Sequence, residues 1–148
     1  RVRCMKLKID KASLVESFFE YTCILGIVAP VKDYLLTWNI NEVLGFKMYI
    51  NHSVEVQLHK KGRDYFFSVY EYKVPGTGIV HFLYNNQDDG EYLLPEFRHL
   101  DFVWLISGEC ADDLDSKSLQ AALKLLPAVQ LVNEIPFEKI KNRENLII

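Results

Sequence analysis

Polar and apolar residues alternate along Lys6-Leu7-Lys8-Ile9-Asp10, which is the period of a half-buried strand and predicts an edge strand there. Residues 11–17 read as one helical turn. They lead into residues 21–28, a short apolar run rich in β-branched side chains, of the kind that fills a central strand covered on both faces. Pro30 then stands at a helix entrance with Lys32 and Asp33 in the first turn. Val31, Tyr34, Leu35, Trp38, Val43 and Leu44 recur at helical spacing, so a helix is expected over 31–44 with Gly45 as its stop. Residues 46–50 return as a strand and close a strand–helix–strand unit.

Val54, Val56 and Leu58 alternate with Glu55, Gln57 and His59, and Lys60-Lys61-Gly62-Arg63 turns the chain into an aromatic strand over 65–72, a hairpin signature. Pro75-Gly76-Thr77-Gly78 makes the next turn. A strand is expected over 79–84, a polar turn over 85–90 and a strand over 91–94, so the middle of the chain reads as an antiparallel meander. Residues 100–107 are strongly apolar. An acidic loop at 112–116, capped by Asp115 or Ser116, precedes a helix carrying Leu119, Ala122, Leu123 and Leu126, which Pro127 ends. Residues 129–135 form a last strand, and Pro136 opens a short basic helix with Lys139, Lys141 and Arg143 near its end. The expected architecture is a single α+β domain over 5–148. It is a two-layer sandwich with a mainly antiparallel sheet and two principal helices on one face, ferredoxin-like in character, and residues 1–4 fall outside the fold. The two strand–helix–strand units share no repeated motif, which excludes a solenoid.

Length supports one domain: a chain of 148 residues buries roughly 69% of its unfolded surface, enough to stand without metal or disulfide. Its 17 basic and 20 acidic residues give a net charge of −3, which lacks the broad positive field that nonspecific nucleic-acid or anionic-membrane binding needs. Cys4, Cys23 and Cys110 are odd in number, far apart and without a CxxC pair, so they read as reduced thiols. The N-terminal residues show no signal-peptide core, and the longest apolar run, 23–31, is far short of a membrane span. A cytoplasmic location is expected.

The stretch Leu93-Leu94-Pro95-Glu96-Phe97-Arg98-His99-Leu100-Asp101-Phe102 resembles the IPExxDY family of bacterial proteins. Leu94 stands for Ile, Phe102 for Tyr, and four residues separate Glu96 from Asp101. Lys32-Asp33-Tyr34-Leu35 before Trp38 is similar to that family's first helix, and residues 139–147 resemble its C-terminus. The resemblance implies an α+β domain of cytoplasmic bacterial proteins and brings no catalytic role with it.

Candidate chemistry is sparse. Glu96, His99 and Asp101 form the best polar cluster: His99 and Asp101 are two apart and share a side of an extended segment, where a carboxylate beside an imidazole can act as a base or hold a metal. Against this stands a structural reading in which Glu96 and Asp101 accept backbone hydrogen bonds. His52, His59 and His81 lack partners at ligand spacing, so no metal or cofactor is expected. Cys23 lies in an apolar strand and reads as inert, while Asp112 and Asp113 raise the pKa of Cys110. No Walker loop, GxGxxG or G-x-S-x-G occurs.

Five aromatics, Tyr65, Phe66, Phe67, Tyr70 and Tyr72, fall within eight residues. Alternation places Tyr65, Phe67 and Val69 on one face and Phe66, Tyr70 and Tyr72 on the other. Two helices cover one face, so an aromatic face is expected to need a partner. The leading expectation is a non-enzymatic interaction or regulatory module that forms a homodimer through its sheet, with Tyr65, Phe67, Tyr70 and Tyr72 at the interface. A small hydrolase or metal-dependent enzyme centred on Glu96, His99 and Asp101 is the alternative. Weak single-stranded RNA binding by the aromatic strand is a third reading.

Overall fold

The computed structural model describes residues 13–108 and 113–148, with only the backbone of 113–115. The strand expected over 6–10, residues 1–4, Cys4 and Cys110 lie outside the described residues. A first helix, α1, occupies residues 13–19. It is followed by β1 (Thr22–Val28), α2 (Asp33–Leu44), β2 (Tyr49–Ile50), β3 (Val56–Lys60), β4 (Arg63–Phe67), β5 (Val69–Lys73) and β6 (Val80–Asn85). The short pair β7 (Gln87–Asp88) and β8 (Glu91–Tyr92) precedes β9 (Phe102–Ser107), α3 (Asp113–Leu123) and β10 (Leu131–Glu134).

The molecule is α+β, and its main sheet is six-stranded in the order β10-β1-β9-β6-β5-β2, with every pairing antiparallel. Strands β1 and β9 are central, and their alternation feeds two apolar layers. Leu25, Ile27, Phe102, Trp104 and Ile106 join the layer that packs Leu36 and Ile40 of α2 and Leu119 and Leu123 of α3. Ile24, Val103 and Leu105 join the opposite layer. Both strands are therefore buried on both faces, as an apolar run without polar alternation requires. Helix α2 ends where Gly45 takes a left-handed φ of 72° and its N–H reaches the Asn41 carbonyl. No helix among the described residues is long and apolar enough to cross a membrane.

Several boundaries differ from expectation for local reasons. Residues 65–72 are two strands: β4 pairs with β3 in a separate hairpin, β5 joins the main sheet, and Ser68 is the corner between them. Residues 91–94 are not a meander strand. β7 and β8 close around Asp89 and Gly90, both at positive φ, a two-residue turn of the kind that matches strand twist. Asp115 and Ser116 do not cap α3, because the helix is already running at Asp113 and Ser116 lies buried within it. The short C-terminal helix is replaced by two single 3-10 turns, Phe137–Lys139 and Arg143–Leu146.

The largest difference concerns the sheet face opposite α2 and α3. That face is covered by the chain itself, through Phe19 of α1, Tyr65 and Phe67 of the β3–β4 hairpin, Leu93, Leu94 and Leu100, and Ile140 and Leu146 of the C-terminal segment. Four polar bonds fasten that segment down. The buried Tyr84 hydroxyl donates to the Leu146 carbonyl at 2.5 Å, Asn145 Nδ2 donates to the Leu93 carbonyl at 2.9 Å, and Asn142 bonds Glu96.

Candidate functional site

Glu96, His99 and Asp101 are each engaged away from one another, and no hydrogen bond or ion pair among the described residues links any two of them. Pro95 opens a 3-10 turn (Pro95–Phe97) that aims Glu96 at the C-terminal segment. There its carboxylate accepts from the backbone N–H and the side-chain Nδ2 of Asn142, both at 2.8 Å. Partial burial pushes the Glu96 carboxyl up, but the hydrogen bonds from Asn142 outweigh it and hold the group below its usual range. Asp101 Oδ2 accepts from the Ala29 N–H at 2.8 Å and so holds the chain where it leaves β1. His99 is exposed, with Phe97 as its ring neighbour.

Asn86 organises the same segment and was hidden in the polar stretch read as a turn. It is fully buried. Its Nδ2 donates to the carbonyls of Phe97 and Leu100 at 3.0 and 2.9 Å, and its Oδ1 accepts from the Leu94 N–H at 2.9 Å. The residues 93–101 that carry the family resemblance are thus tied at Asn86, Glu96 and Asp101. A buried side-chain amide that closes three backbone bonds is a structural device.

The aromatic strand is placed as its alternation implies, with Tyr65, Phe67 and Val69 in one layer and Tyr70 and Tyr72 in the other. Tyr65, Phe67 and Tyr70 are nevertheless buried by the chain's own elements, and Tyr72 is half-buried. The inference that one of these faces stands open is therefore corrected: the hairpin and the C-terminal segment cover it. A base-stacking platform needs exposed rings, and of the five aromatics only Phe66 is exposed. Tyr70 also donates its hydroxyl to Asp33 Oδ2 at 3.2 Å. Burial first, and the Asp33 charge second, push it up to about 12.

His52 and His59 are exposed, and His59 Nδ1 pairs with Asp64 at 2.8 Å. His81 is different. It is buried on β6 beside Phe46, Tyr72 and Trp104, and burial lowers its pKa to about 4, so it is neutral at physiological pH. The Cys23 thiol is half-buried and lies 3.1 Å from Ser116 Oγ. Among the described residues no group of three or more His, Cys, Asp or Glu side chains comes together as a metal site would require.

The outer side of α2 is exposed and apolar. Tyr34, Leu35, Trp38 and Val43 are 66, 44, 58 and 58% exposed, where the solvent face of a helix is ordinarily polar. Tyr34, Trp38 and Asn41 follow one another at helical spacing, and Asn41 clasps the Met48 backbone, donating to its carbonyl at 3.0 Å and accepting from its N–H at 2.9 Å. The stripe therefore runs down to the edge strand β2, where Tyr49 and Ile50 are exposed as well. Among the described residues strand β2 pairs on one side only, with β5. The chain matches no protein-family model and no curated protein.

Proposed function

We propose that this chain is a non-enzymatic interaction module that self-associates through the edge of its sheet at β2 and the adjoining outer face of α2. One observation carries this reading: four large apolar side chains, Tyr34, Leu35, Trp38 and Val43, occupy the solvent side of a well-formed helix next to an edge strand. Edge strands are usually shielded by charge, proline or a covering element, and apolar patches on a monomer are usually small and scattered. A two-fold pairing would place the stripe of one copy against that of the other and bury both tryptophans. The engagement of Glu96 and Asp101 in backbone bonds supports a binding role over a catalytic one.

The fold assigned here is an elaborated ferredoxin-like sandwich of helices on a sheet. The order β10-β1-β9-β6, with α3 linking β9 to β10 on the face that α2 also covers, supports that frame. Membership of the IPExxDY family and a cytoplasmic location complete the reading.

Tryptophan quenching tests it. The chain has two tryptophans, of which Trp104 is fully buried and Trp38 exposed, so acrylamide reports on Trp38. Dilution from tens of micromolar to nanomolar should increase the quenching as copies separate. Quenching that is high and constant over the whole range would remove α2 as the contact surface.

A further inference from the structure

A cleft of about 510 Å³ lies between the C-terminal end of α2, helix α3 and the sheet. Phe46, Tyr72, Ile106 and Leu119 supply an apolar lining, Ser118 adds a hydroxyl, and among the described residues no charged residue lines it. Its floor is ordered by ring contacts: Phe46 lies 5.1 Å from Tyr72, 5.0 Å from His81 and 5.7 Å from Trp104 between ring centroids. Into this apolar lining projects one buried polar side chain, His81, 8% exposed.

Trp104 Nε1 donates to His81 Nδ1 at 3.0 Å. Indole nitrogen is a donor only, so Nδ1 must be the acceptor and the proton of the neutral ring sits on Nε2. Nε2 has no hydrogen-bond partner among the described residues, yet no described side-chain polar atom is both sealed from solvent and unpartnered. The Nε2–H therefore opens to the space that His81 lines. A donor held in a fixed tautomer by a neighbouring indole, amid aromatic rings, is the arrangement of a small-molecule site: mainly apolar walls with a buried polar group that sets orientation.

We propose that this cleft binds a neutral, flat, mainly apolar ring compound carrying one hydrogen-bond acceptor, such as an aromatic ketone or amide, with His81 Nε2–H as the donor to that acceptor. With no charged lining residue among the described residues, the cleft selects against ionic ligands, which would lose hydration with nothing to replace it. The rings of Phe46 and Tyr72 offer stacking faces, and the cleft volume lies in the range of drug-sized sites.

The test uses acetonaphthone as probe, with ethylnaphthalene as its counterpart lacking the acceptor, titrated by calorimetry and by NMR of the whole chain. The ketone should bind saturably at one site, shift the His81 ring signals, and bind about tenfold more tightly than the hydrocarbon, the worth of one net hydrogen bond. Ala122→Phe, which adds bulk to the cleft lining from α3 and leaves His81 and Trp104 unsubstituted, should weaken the ketone at least tenfold. His81→Phe should erase its advantage over the hydrocarbon. If His81→Phe does not fold, the ketone-to-hydrocarbon ratio and Ala122→Phe decide alone. Absence of saturable binding, equal affinity for the two probes, or an Ala122→Phe variant that binds as well as the parent would each overturn the proposal.

Discussion

Trp104 and His81 sit diagonally on adjacent strands, with Leu83 opposite Trp104 and His81 opposite Ile106, and the indole N–H of one is satisfied by the imidazole Nδ1 of the other at 3.0 Å. This bond makes the burial of both polar groups tolerable, and it holds only while the imidazole is neutral at Nδ1. Burial lowers the His81 pKa from 6.5 to about 4. Between those values the unfolded chain binds a proton that the native chain refuses. The stabilisation is complete above about pH 6.5 and is lost as pH falls toward 4, by about 3 kcal/mol in all. Urea unfolding at pH 7 and pH 5 should show the loss in the parent protein and a smaller one in His81→Gln. Identical pH dependence in both proteins would refute the assignment.

Glu96 and Asp101 act as acceptors for backbone N–H groups of distant segments, Asn142 and Ala29. Glu96→Ala and Asp101→Ala should each destabilise by about 1–3 kcal/mol, because a partly buried donor is left without its partner. For a chain of this length that lowers the melting temperature by several degrees. Unchanged or raised melting in both variants would show that the two carboxylates are not structural, and would return attention to catalysis.

Gly108 ends β9 at a φ of 141°, and an added Cβ would lie 2.8 Å from the Gly78 carbonyl oxygen and 3.0 Å from Ile79 Cα. Both obstacles are backbone, which cannot step aside as a side chain can. Gly108→Ala should therefore cost about 3 kcal/mol or more, combining an unfavourable conformation with overpacking. Gly45→Ala, with open space around its Cβ position, should cost only the strain of its left-handed φ, about 1 kcal/mol. Equal chemical-denaturation midpoints for the two variants would contradict the packing argument.

The central elements were legible because their signals are local. The unbroken apolar stretches at 22–28 and 102–107 announce strands buried on both sides, Gly45 ends α2, and Lys61-Gly62 turns the β3–β4 hairpin with both residues at positive φ. What escaped depends on partners far along the chain. Nothing near Ser68 marks it as the corner at which the aromatic strand leaves the hairpin for the main sheet. The covering of the second sheet face required Ile140 and Leu146 to return across Tyr84, a contact 62 residues long in sequence for the Tyr84–Leu146 bond. Asn86 looked like one more polar residue in a turn. In the sequence His81 has no ligand set among its immediate neighbours, and its partner is Trp104, 23 residues away on the adjoining strand. On α2 the helical spacing of Tyr34, Leu35, Trp38 and Val43 points to the exposed side, and the buried Leu36 and Ile40 lie outside that stripe. Only the structure separates the two sets.

Self-association through α2 and β2 is tested most directly by the molar mass in solution, measured by light scattering across a concentration series for the parent and for Trp38→Lys. Trp38 is exposed, so the substitution leaves the fold intact and places a charge at the centre of the stripe. The parent should approach twice the 17.2 kDa chain mass at tens of micromolar, and Trp38→Lys should stay at the single-chain mass over the same range. A parent that remains a monomer at every concentration, or a Trp38→Lys variant that dimerises as readily as the parent, would contradict the account.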